Sequence, residues 1–85
     1  MVTVSKKKPK NAPVDLKWWK QNLESAGISQ NGLAEEMNIL PGGMSRRVNG
    51  FLDFKAKDVS HIASRFGIAL PEAMHKLVTE PNRGN

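Results

Sequence analysis

Eighty-five residues carrying a formal net charge of +5 make one small domain, with little room for a deep catalytic cavity. The absence of cysteine excludes disulfide staples and thiolate zinc sites, and His61 and His75 stand without a second ligand at metal spacing, so neither metal nor cofactor is expected. No apolar run approaches the ~20 residues that cross a bilayer, and the N-terminal MVTVSKKKPKNAP lacks a hydrophobic stretch for secretion, so the expectation is a cytoplasmic protein without a membrane partner.

In chain order, the charge comes first. Lys6, Lys7, Lys8 and Lys10 are four of the 13 Lys and Arg residues, which leaves nine basic residues against eight acidic ones from Asp15 onward. The excess belongs to residues 1–14, which read as a flexible basic arm. Such a segment is either a solvated tail or an arm that follows phosphates, where each lysine that neutralises one releases condensed counterions.

Asp15 offers an N-cap for LKWWKQNLESAG, in which Leu16, Trp19, Leu23 and Ala26 share one apolar face and Gly27 ends the helix. Trp18 lies about 100° from Trp19 around the helix. It is either a boundary residue with its indole nitrogen wet or part of a partner interface. Ser29 caps a second helix, QNGLAEEM, with Leu33, Ala34 and Met37 inward and Glu35 and Glu36 outward. Asn38 tolerates the left-handed conformation of a sharp turn, and the small Ala34 allows two helices to meet closely across it.

The third helix is predicted over Pro41–Asn49. With Met44 at zero on a wheel of ~100° per residue, Val48 falls beside it, while Gly42, Ser45, Arg46 and Asn49 share the opposite side. Arg47 flanks the buried side, placed to lie along the core edge or reach a backbone phosphate. Pro41 suits an orderly start. Gly42 and Gly43 each cost up to ~1 kcal/mol relative to alanine, so they mark either a frayed turn or open loop, or a bare backbone that can approach a base edge.

ISQNGLAEEMNILPGGMSRRVNG followed by DVSHIASRFGIALPEAM resembles the Cro and phage-repressor type of helix-turn-helix domain, the XRE family. Gln30, Ala34, Ile39, Met44, Asn49 and Gly50 stand where the pattern puts them, without gaps from about Ile28 to Met74. Asn38 replaces the usual turn glycine, and Arg47 occupies a position that is usually apolar. Leu23 and Val48 stand where many members pair a buried Arg and Glu; a joint apolar replacement is commonly neutral or stabilising. The resemblance implies an all-α, five-helix lambda-repressor-like DNA-binding domain over residues 15–79, with a loose tail at 80–85.

By that resemblance, the helix at Pro41–Asn49 enters the major groove of double-stranded operator DNA. Gly42 and Gly43 stand where members usually carry sequence-reading side chains. Arg46 then becomes the first candidate for base readout, through paired bonds to guanine, with a phosphate clamp as its other reading. Ser45 is a secondary contact to base or phosphate. Gln30 has a family counterpart that holds phosphate and braces the third helix, and Asn49 is expected to hold the other flank.

Val59, Ile62, Ala63 and Phe66 repeat at core spacing up to Gly67, with His61 facing solvent. PEAMHKLV carries Ala73, Met74, Leu77 and Val78, more apolar surface than one short helix buries on so small a body. Met74, Leu77 and Val78 therefore suggest a homodimer contact, with a near-palindromic operator and half-sites about one turn apart. The implied function is a transcriptional repressor at the nucleoid, controlled by its level or by another protein such as an anti-repressor. An antitoxin that also binds a toxin, and a protein-interaction adaptor on the same fold, remain alternatives. An enzyme is not expected, because no nucleophile has a base partner and PGG lacks the strand and lysine of a phosphate-binding loop.

Overall fold

Asp15 opens the first helix by accepting hydrogen bonds from the backbone amides of Lys17 and Trp18 at 3.1 and 3.2 Å. Ser29 opens the second by accepting from the Gly32 amide at 2.9 Å. These caps satisfy donors that have no partner inside a helix. In a computed structural model describing residues 11–78, five α-helices follow: α1 Leu16–Ala26, α2 Gln30–Glu36, α3 Pro41–Val48, α4 Ala56–Phe66 and α5 Leu70–Leu77. The class is all-α, and Gly42 and Gly43 lie inside α3.

The centre is built from Trp19, Leu33, Met44 and Ile62, one each from α1, α2, α3 and α4, all fully buried. Burying side chains of this size contributes about 1.5–3 kcal/mol each. α1 and α5 both pack on α4, and α2 packs on α3. Trp19 meets Phe66 edge-on with ring centroids 5.5 Å apart, and Phe54 lies 6.2 Å from it on another side. Leu23 and Val48 both belong to this core, so no buried charge pair is needed at those positions.

Four expectations change. Leu16 is exposed, and Val14, ahead of the helix, is buried instead. The reason is a backbone hydrogen bond from the Val14 amide to the Val48 carbonyl at 2.9 Å, which draws the chain inward before α1 begins. The same contact shortens the proposed arm, because residues 11–14 are part of the body; Lys6, Lys7 and Lys8 lie outside the described residues, as does the expected tail at 80–85. Leu77, expected at a dimer contact, is 3% exposed and belongs to the core, whereas Met74 and Val78 are 49% and 57% exposed. Trp18 does not leave its indole nitrogen to water: it donates to Glu72 at 3.3 Å, beneath Lys76 and edge-on to Phe66.

Candidate nucleic-acid interface

The turn between α2 and α3 is closed by main-chain bonds alone. Asn38 adopts a left-handed conformation, φ 59°. The Ile39 amide reaches back to the Ala34 carbonyl at 2.9 Å and the Asn38 amide to Glu35 at 3.1 Å, the paired pattern that ends a helix with one left-handed residue. Ile39 packs against the core, and the next residue, Leu40, is left in solvent as the N-cap of α3. The side chain of Leu40 cannot accept a hydrogen bond, so no side chain caps the first amides of α3.

Gly42 and Gly43 are glycine for different reasons. A Cβ at Gly42 would meet nothing within 4 Å. One at Gly43 would press on Arg47 Nη1 at 3.1 Å and Ile39 Cγ2 at 3.3 Å. Arg47 needs that space because its Nη1 donates to the Gly43 carbonyl at 3.0 Å. Its Nε is buried without a hydrogen-bond partner, 3.9 Å from Asp58 Oδ2. This geometry fits the core-edge reading of Arg47 and removes it from the exposed face. Of the two places expected for Arg47, the guanidinium takes the core edge, between the Gly43 carbonyl and Asp58.

Of the other α3 residues, Arg46 is exposed and Ser45 is half-buried. Asn49 folds back, its Nδ2 donating to the Ser45 carbonyl at 2.9 Å and lying 3.4 Å from the Ser45 hydroxyl. Asn49 therefore braces the end of α3, with its amide nitrogen already engaged. Pro41, Gly42 and Arg46 lie open together with Leu40.

Gln30 occupies the first position of α2 and accepts a hydrogen bond from Trp19 Nε1 at 2.7 Å. An indole nitrogen only donates, so this contact fixes the amide orientation with the Gln30 oxygen inward. The Gln30 NH2 group has no hydrogen-bond partner among the described residues.

Three features carried too weak a sequence signal to be read. Asp58 is 4% exposed; its Oδ2 accepts from the Lys55 amide at 2.8 Å, and the only hint was an acid three residues into α4. The segment 11–14 crosses the end of α3, with the Asn11 amide on the Gly50 carbonyl at 2.8 Å and Asn11 Nδ2 on Asp53 at 2.6 Å. Gly50, at φ 90°, could not carry a Cβ without colliding with the Asn11 carbonyl oxygen. Glu36, at the end of α2, meets His61 Nε2 and Arg65 Nε, both at 3.0 Å; His61 thus bridges two helices instead of simply facing solvent. Hydrogen bonds from His61 and then Arg65 hold the Glu36 carboxyl below its ordinary pKa.

Among the described residues no helix is long and apolar enough to cross a membrane. Nor does any group of three His, Cys, Asp or Glu side chains there suit a metal ion. Compared with protein-family models, curated proteins and solved structures, the chain gave no match.

Proposed function

We propose that this chain is a sequence-specific double-stranded DNA-binding repressor, with α2 and α3 as a helix-turn-helix and α3 as the helix that enters the major groove. The observation that carries the reading is the outward side of α3, where Arg46 stands exposed beyond an uncapped, glycine-bearing first turn. An α-helix fits the major groove, and an arginine on its outer face can donate two parallel bonds to guanine. Gln30, oriented by Trp19, supplies phosphate donors at the start of α2. The Lys-rich segment ahead of Asn11 supplies charges that add salt-dependent affinity for the same duplex.

The operator is near-palindromic and two copies bind it. Met74 and Val78, with Leu70, leave an apolar face open beside a groove of about 250 Å3 that reaches Phe54 and Val59. Met74 and Val78 of the expected contact belong to this face, and Leu77 lies in the core beneath it.

Selection of bound sequences from a random duplex pool at moderate salt tests the whole reading. The expected product is a motif with two half-sites about one helical turn apart, and Arg46→Ala should relax preference at one position in each. Enrichment of nothing, with binding that disappears as salt rises, would sink it in favour of an adaptor.

A further inference from the structure

Resting on the reading of α3 as a DNA-reading helix, we propose that Leu40 and the bare backbone at Gly42 read thymine C5-methyl groups, so that each half-site holds an A·T pair at one fixed place beneath the tip of α3.

Leu40 is 79% exposed, more than any other large apolar side chain among the described residues. Its exposure follows from the turn: Asn38 is left-handed and Ile39 goes to the core, so the N-cap is carried outward. That position ordinarily favours an oxygen that can cap the first amides. Leu40 gives up that bond and sets an apolar group at the entrance to α3. Two residues on, Gly42 is solvent-exposed and helical, with open space where its Cβ would be. Nothing in the folded chain requires a glycine there, although glycine weakens the helix. A partner surface approaching the backbone closely is what benefits from the missing side chain.

The charge at this tip selects which part of the duplex it meets. A cleft of about 390 Å3 opens beside Leu40 and Pro41, and Glu35 and Asn31 also line it. The Glu35 carboxylate repels a phosphate, whereas the exocyclic amines on base edges in the major groove are donors that a carboxylate accepts. The apolar half of the tip then has one matching feature in that groove, the thymine methyl, which cytosine and both purines lack. Burying it against Leu40 favours thymine over uracil at the same pairing geometry.

The test starts from the motif selected with the full chain. Each thymine is replaced in turn by deoxyuridine, which removes only the methyl, and affinity is measured by fluorescence anisotropy for wild type, Leu40→Ala and Gly42→Ala. The expected result is one thymine per half-site at which deoxyuridine weakens wild type about fourfold, the effect of one buried methyl, and leaves Leu40→Ala unaffected. Gly42→Ala should weaken binding while the fold, followed by circular dichroism, persists. A motif at which every deoxyuridine is tolerated overturns this inference alone, as does a methyl effect that Leu40→Ala feels in full. A selection that returns no motif overturns the DNA reading beneath it.

Discussion

At the C-terminal end of α3 each of the last four carbonyls is taken. Ser45 accepts from Asn49, Arg46 from Phe51 and Leu52, Arg47 from Gly50, and Val48 from Val14 across the chain. At the other end, eight residues earlier in the same helix, the N-cap is an exposed leucine, the first helical residue is a proline without an amide hydrogen, and two glycines follow without a side-chain cap. One helix is thus anchored at one end and left open at the other. Helix ends leave donors and acceptors that folding must normally satisfy. The anchored end meets that demand inside the chain, and the open end leaves it to solvent or a partner.

Breaking the anchored end should have the largest effect. Gly50→Ala forces a left-handed residue and drives its Cβ into the Asn11 carbonyl, so residues 11–14 must lift from α3. Backbone strain of this kind costs about 1–3 kcal/mol by itself, and losing the Val14 contact adds to it. Urea unfolding should show a loss of about 3 kcal/mol; a change within about 0.5 kcal/mol, the usual range for an inert surface substitution, would mean that the segment is not seated there.

Asp58→Ala should come next, at about 2 kcal/mol. It removes the acceptor for the Lys55 amide and the charge facing the buried Arg47 Nε. A guanidinium left without its counter-charge is the more expensive part, so adding Arg47→Met to Asp58→Ala should recover some of the loss. A double variant no more stable than Asp58→Ala alone would assign the whole effect to the start of α4.

The two adjacent glycines sharpen the contrast at the open end. Gly42→Ala should raise stability by up to ~1 kcal/mol, because alanine is the better helix former and its Cβ meets open space. Gly43→Ala should fail to gain this, since Arg47 and Ile39 must shift to admit it. Thermal midpoints that rise equally for both variants would show that Arg47 does not depend on the gap.

The helices and caps were legible because they are local. Asp15, Ser29, Gly27 and Gly67 mark helix ends by their own chemistry, and the spacing of Val59, Ile62 and Ala63 states which side is inward. The left-handed turn at Asn38 was legible for the same reason. What escaped was set by contacts distant in sequence. Val14 is buried because it meets Val48, Leu77 is buried because α5 packs on α4 and turns it into the core, and the Trp18 nitrogen is occupied because Glu72 arrives from α5. A helical wheel gives Arg47 its side but not the Gly43 carbonyl and Asp58 that hold it. At the candidate interface, Arg46 and Gly42 were identified from the wheel. Leu40 was not, since its exposure depends on Ile39 having been drawn inward.

The smallest effect belongs to the residue just before the turn. Glu36 ties the end of α2 to His61 and Arg65 of α4. Its folded-state pKa is lowered, first by the hydrogen bond to His61 and then by the one to Arg65. A carboxylate with a depressed folded pKa contributes stability in full above the ordinary glutamate range, and the contribution is lost as pH falls through the folded value. The ion pair is at the surface, where screening keeps its worth small. Glu36→Gln should therefore lower the thermal midpoint slightly at neutral pH, and the gap to wild type should close as acid protonates Glu36. High salt should narrow the gap at neutral pH as well. A difference that persisted unchanged into acid would come from side-chain packing and would leave the carboxylate no part in holding α2 against α4.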